Sequence, residues 1–229
     1  GGAYTATSAA FNVTVGSIAS VALTTAPPST GTGGAAFSSQ PVITVLDAGA
    51  NPVTACSENV VAAVESGPAG GGFLAGATTT VAASSGVATF SGLALDVADS
   101  GTSYVVSFTL AGLSTPVAHT IAIAVGDAAQ LIFTTQPSPA TGGIKFATQP
   151  VITAADLGGN LVSGATGTVT LARGSGPGSL GTNSDGSSFV SGSPTTSFSS
   201  GSADFAGSFA AFDLLGTYVV QASTASGLT

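Results

Sequence analysis

The chain has 229 residues, with ten acidic side chains, two basic ones (Lys145 and Arg173), one histidine and a formal net charge of -8 at pH 7. Only 5% of its residues are charged, where about 25% is usual, so the clustered cations that neutralise nucleic-acid phosphates are missing. Little is left for His-based acid–base work, metal ligation or phosphate binding, which points to a structural or binding protein that is not an enzyme and needs no cofactor.

The chain contains no methionine, which suggests a mature product or a segment of a longer precursor. Its apolar content of 44% is rich in Ala and Val. The longest apolar run, residues 117–125, is interrupted by His119 and Thr120 and falls short of the ~20 residues of a membrane helix. No membrane partner is expected. Cys56 is the one cysteine, so no intrachain disulfide can staple the fold.

In chain order, the first element is a short alternating stretch in which Phe11, Val13 and Val15 share one face and Asn12 and Thr14 the other. After Gly16, period-two apolar patterns bounded by Gly, Pro, Asn and Ser predict strands near 19–25, 40–46, 60–65, 78–83, 87–90, 104–110 and 118–125. From residue 127 the pattern starts again. The block from Gly16 to Pro27 lines up with Gly126 to Pro137 at an offset of 110. Gln40-Pro41-Val42-Ile43-Thr44 matches Gln149-Pro150-Val151-Ile152-Thr153, and Asp47 with Asn51 matches Asp156 with Asn160. Ser66-Gly67-Pro68 returns as Ser175-Gly176-Pro177, Gly86 to Gly92 as Gly201 to Gly207, and Tyr104-Val105-Val106 as Tyr218-Val219-Val220. Blocks repeated in one order mean two homologous domains, here 17–126 and 127–229, preceded by an N-terminal segment, 1–16.

Seven short strands in about 110 residues without a helical period fit a two-sheet sandwich. The expected fold class is all-β: two tandem immunoglobulin-like β-sandwich domains, without the Cys and Trp of antibody domains. The blocks Thr134-Thr135-Gln136-Pro137, Pro150 to Thr153 and Asp156-x-x-Gly159-Asn160 resemble the bacterial-type Ig-like repeats of large surface proteins. That resemblance implies an extracellular or cell-surface location.

The second repeat reaches Thr229 without a counterpart of the strand at 118–125. Its counterpart stands at the other end of the chain, where Phe11 to Gly16 aligns with Ile121 to Gly126, again at an offset of 110. A sandwich lacking one strand exposes an apolar groove and unpaired backbone groups, both costly in water. The expectation is a donor strand whose Phe11, Val13 and Val15 enter an acceptor groove formed by Tyr218, Val220 and Ala222 in the next identical copy. Such a contact does not close, so it propagates into a head-to-tail filament. It resembles donor-strand complementation in chaperone–usher pili. With domains about 35 Å across, subunits would repeat every ~70–80 Å. The alternative is a spacer or stalk segment of a large multi-repeat surface adhesin, where the preceding repeat owns residues 1–15.

Asn12-Val13-Thr14 is an N-glycosylation pattern on the outward face of that strand, and covalent glycans there would hydrate a filament with few charges. Thr78-Thr79-Thr80, Ser84-Ser85 and Pro194-Thr195-Thr196 are candidates for O-linked sugars. Asp96 with Asp99, and Asn183-Ser184-Asp185-Gly186, lack the full oxygen set of a calcium loop and read as turn residues, so no metal is expected. His119 reads as a strand-end residue. Cys56, aligned with Ala165, reads as a small semi-buried one. The lone histidine has no arranged partners for a hydrolytic triad.

Overall fold

The computed structural model describes residues 3–138, 140–184 and 188–225. The terminal Gly227-Leu228-Thr229 and the Asp185-Gly186 half of the calcium-like turn lie outside the described residues. Among the described residues the chain is strand and loop, with no helix, so the all-β class holds.

The first repeat contains β1 (Ile18–Thr25), β2 (Thr30–Thr32), β3 (Val42–Asp47), β4 (Asn59–Ser66), β5 (Thr80–Ala82), β6 (Val87–Thr89), β7 (Tyr104–Leu110) and β8 (Val117–Ala124). Apart from β2, all lie within about two residues of the alternating patterns. β2 is a Thr-Gly-Thr stretch without apolar alternation. It is a strand because β8 offers it a parallel edge, pairing Thr30, Gly31 and Thr32 with Ala122, Ile123 and Ala124. Strands β1, β3 and β6 make one antiparallel sheet, and the order β2-β8-β7-β4-β5 makes a five-stranded second one.

One buried cluster draws on both sheets: Ile43, Val45 and Ala88 from the first, and Val60, Ala62, Tyr104, Val106, Phe108, Ile121 and Ile123 from the second. Period-two alternation explains the arrangement, since β8 buries Ile121 and Ile123 and leaves Thr120, Ala122 and Ala124 exposed. Between β5 and β6 the chain reverses through Ser85 and Gly86, both at positive φ (51° and 78°), the type I′ geometry that matches strand twist. Ser200 and Gly201 repeat it.

The second repeat contains β9 (Gln130–Thr135), β10 (Val151–Ala155), β11 (Thr168–Ser175), β12 (Leu180–Thr182), β13 (Val190–Ser191), β14 (Thr195–Ser197), β15 (Ser202–Asp204), β16 (Ala210–Phe212) and β17 (Val219–Thr224). The sheet β15-β10-β9 repeats β6-β3-β1, and β14-β11-β17 repeats β5-β4-β7. A small sheet β13-β12-β16 is added, where the first repeat has a single bridge between Phe73 and Leu95. Insertions after residue 177 supply its extra strand. Ile152, Val169, Leu171, Leu180, Ala203, Phe205, Ala210 and Phe212 form a second buried cluster, with Tyr218, Val220 and Ala222 packed against its rim.

Candidate strand-acceptor site

In the first repeat β7 is paired on both sides, with β4 and with β8. Its counterpart β17 pairs with β11 alone among the described residues. The outer edge of β17 opens on a cavity of about 410 Å³, whose walls include Ser138, Thr141, Phe146, Phe212, Leu215, Tyr218 and Val220. Residues 140 and 141 on its far side, the described counterparts of Gly31 and Thr32 in β2, form no strand. β2 exists only as a pair with β8, so the loss of one strand removes the other. The predicted acceptor residues Tyr218, Val220 and Ala222 all face this second core and are half-buried.

Tyrosines mark the mouth of the groove. The Tyr104 hydroxyl reaches Asp96 Oδ1 (3.2 Å) and Val97 O (3.0 Å), and burial, with the Asp96 charge adding to it, pushes its phenol up to about 12. Tyr218 repeats half of this by donating to Leu214 O (2.7 Å). Its ring stacks on Phe212 at 3.7 Å between centroids.

Residues 3–17 carry no regular secondary structure and pair with no strand of their own chain; every one of them is exposed. Phe11 is 79% and Val13 85% exposed. Their counterparts Ile121 and Ile123 are buried in the first core. Val15 differs, because its counterpart Val125 lies past the end of β8 and is itself 46% exposed. Asn12 is exposed, as is its counterpart Ala122 on β8.

The exposed segment is anchored at Gly16. The Gly16 N–H donates to Asp47 Oδ2 at 2.8 Å. Together with Gly49 N and the backbone and side chain of Asn51, this bond holds the Asp47 carboxyl at about 2, below its ordinary 3.8. Gly126, which follows β8, makes the same bond to Asp156 Oδ2 at 2.9 Å, and Asp156 receives Gly158 N and Asn160 in the same way. The turn that joins the two repeats is therefore built a second time between residues 3–15 and the first repeat.

At the joint between the repeats Asn160 makes two further bonds. Its Nδ2 donates to Asp96 O (2.7 Å) and its Oδ1 accepts from Ala98 N (2.8 Å). Gly33 and Gly34, buried, lie so close to Asn160, Leu157 and Gly158 that a Cβ on either would overlap them. The second repeat carries the same receiving surface at its far end. Gly143 N donates to Phe212 O as Gly34 N does to Leu95 O, and Ser179 N donates to Asp213 Oδ1 as Gly72 N does to Asp96 Oδ1. Asp213 thus stands for Asp96 and Leu215 for Ala98. Sequence comparison missed this pair because the insertions move the offset to 117; the signal was a large apolar residue and Asp shortly before the repeated Tyr.

Comparison with family models, curated proteins and solved structures finds no match for this chain.

Apart from His119, whose Nε2 is buried without a hydrogen-bond partner, the remaining residues singled out in the sequence have ordinary settings. Cys56 is buried, not semi-buried, because its turn packs under Gly86, whose N–H bonds Cys56 O; Ala165 is buried likewise. His119 is half-buried on β8 opposite Val106. Asp96 accepts Gly72 N and Val97 N, and Asp99 accepts Gly101 N, so both serve turns. Lys145 lies 4.6 Å over the Phe209 ring, and Arg173 donates to Gly176 O. Thr78, Thr80, Ser84, Ser85 and Thr195 are exposed, whereas Thr79 and Thr196 are half-buried.

Proposed function

We propose that this protein is the structural subunit of an extracellular linear filament, polymerised head to tail by β-strand donation between immunoglobulin-like sandwich domains and glycosylated on its exposed face. One observation carries the reading. An unpaired, exposed segment with the β8 pattern coexists in one chain with an open β17 edge and a groove where β8 would lie. The pairing of β7 with β8 supplies the register: Tyr104 faces Ile121, Val106 faces His119 and Phe108 faces Val117, antiparallel. Transferred to the second repeat, Phe11 of the next copy lies opposite Tyr218, Ala9 opposite Val220 and Thr7 opposite Ala222. Burying Phe11 and Val13 is worth roughly 1.5–3 kcal/mol each, beside a ladder of backbone hydrogen bonds and the recovery of a β2-like strand through residues 140 and 141. Asn12 stays on the solvent side in this register, open to a glycan.

The test is a synthetic peptide of residues 3–16 added to the full chain. It should occupy the groove, raise the melting temperature of the second repeat in proportion to its concentration, and shorten the fibrils by capping them. Fibrils formed by a chain lacking residues 3–15, or Phe11 left solvent-exposed within fibrils, would sink the reading.

A second reading, a spacer or stalk segment of a multi-repeat adhesin, draws on the internal joint, where β8, Gly126 and β9 run on in one polypeptide. Native particles that fail to dissociate into chains of this length in denaturant would favour it.

A further inference from the structure

We propose that successive copies are locked at a fixed angle by a second contact beside the donated strand: Asn51 of one copy docks on Asp213 and Leu215 of the copy before it. This rests on the filament reading, and it names the surface that sets the geometry between subunits. The template is the internal joint, where Asn160 bridges Asp96 O and Ala98 N with both ends of its amide. Asn51 sits in an identical turn on Asp47, but its Oδ1 meets no donor among the described residues, and the side chain is exposed where Asn160 is half-buried.

The receiving side is equally unfilled. A Cβ on Gly34 would overlap Leu157 and Gly158, whereas Gly143, at nearly the same φ (76° against 74°), has nothing within 4 Å of that position. Gly142 approaches Asp213 O as Gly33 approaches Asp96 O, with a Cβ-to-oxygen distance of 2.9 Å against 2.8 Å. Two half-joints, Ala48-Gly49-Asn51 at one end and Gly142-Gly143 with Asp213 and Leu215 at the other, are thus the two sides of one joint already assembled once in the chain. The large residue changes sides: Leu157 meets a surface carrying Ala98, while Ala48 would meet one carrying Leu215.

A donated strand held only through Gly16 would leave a swivel. With the amide bridge added, the rotation between copies equals the rotation between the two repeats of one chain, and the filament is a near-uniform string of single domains.

Electron cryomicroscopy of the wild-type filament should place Asn51 Nδ2 within hydrogen-bonding distance of Asp213 O of the preceding copy, and should superpose the inter-copy joint on the internal one. Asn51→Ala should still give filaments with Phe11 buried, but with a persistence length reduced severalfold, and Asn160→Ala should loosen the internal joint to a similar degree. Filaments in which Phe11 is buried while Asn51 lies away from Asp213, or in which Asn51→Ala is as straight as wild type, overturn the lock and leave strand donation standing. If the chain forms no filament, or Phe11 is exposed in it, both readings fall.

Discussion

Tyr104, Val106 and Phe108 on β7 are fully buried, whereas Tyr218, Val220 and Ala222, their counterparts on and beside β17, are only half-buried. The two strands have nearly the same sequence at their starts and the same partner on one side, β4 or β11. What differs is the neighbour on the other side. With β8 in place, Ile121 and Ile123 seal the core and a parallel β2 forms at the rim. Without it, a cavity of about 410 Å³ remains and the β2 counterpart stays irregular. The lesson is that one missing strand costs its own apolar side chains, the strand that pairs with it and the closure over its neighbour.

The sharpest way to break this comparison is to truncate the same position in both settings. Ile121→Ala removes a fully buried side chain and should destabilise the first repeat by about 2–5 kcal/mol, read from denaturant unfolding of the chain in dilute solution. Phe11→Ala, its counterpart in sequence, should leave that unfolding curve unchanged because Phe11 is 79% exposed. Its effect should appear only in assembly, as a rise of at least ~10-fold in the concentration needed for filaments, since ~1.4 kcal/mol of lost burial already gives a factor of ten. Equal losses of stability in the two dilute variants would show that residues 3–15 pack within their own chain.

The tyrosine pair gives a smaller contrast. Tyr104→Phe strips a buried phenol of its bonds to Asp96 and Val97 and should cost about 1–2 kcal/mol. Tyr218→Phe should cost less, because Leu214, which accepts its bond, is 55% exposed and water can replace the lost partner. Thermal melts of each variant, with and without the 3–16 peptide, check whether the gap narrows once the groove is filled.

The mildest effect is pH-dependent and concerns the anchor of the exposed segment. Asp47 has a folded-state value of about 2 against 3.8, with the Gly16 N–H the largest cause. A depressed carboxyl stabilises the fold above the unfolded value, so its contribution is complete above about pH 4 and is lost as the pH falls towards 2. The protection factor of the Gly16 amide, its exchange by NMR taken relative to the intrinsic rate at the same pH, should fall as the pH drops through that interval and stay level above it. A Gly16 protection factor indifferent to pH across the window would mean that Asp47 does not hold the segment.

Much of this molecule is legible in its sequence. Period-two alternation located seven strands of the first repeat because each has one face in a core and one in water, and blocks repeated at offsets of 109 to 115 residues marked counterparts of most of them from Gly126 onward. An offset of 110 marked Phe11 and Val13 as counterparts of Ile121 and Ile123, because side-chain pattern is a local property. β2 was not legible: Thr-Gly-Thr has no apolar face, and its strand geometry comes wholly from the edge of β8. Nor was the correspondence of Asp213 with Asp96, since the insertions that build β13-β12-β16 shift the numbering while hydrogen bonds from Gly143 and Ser179 keep the place in space. The exposure of Val125 past the end of β8 and the bridging role of Asn160 were likewise decided by tertiary structure. Burial at a strand's end, and the reach of an amide across a joint, depend on which backbone atoms the fold brings within about 3 Å, and residue order alone does not carry that distance.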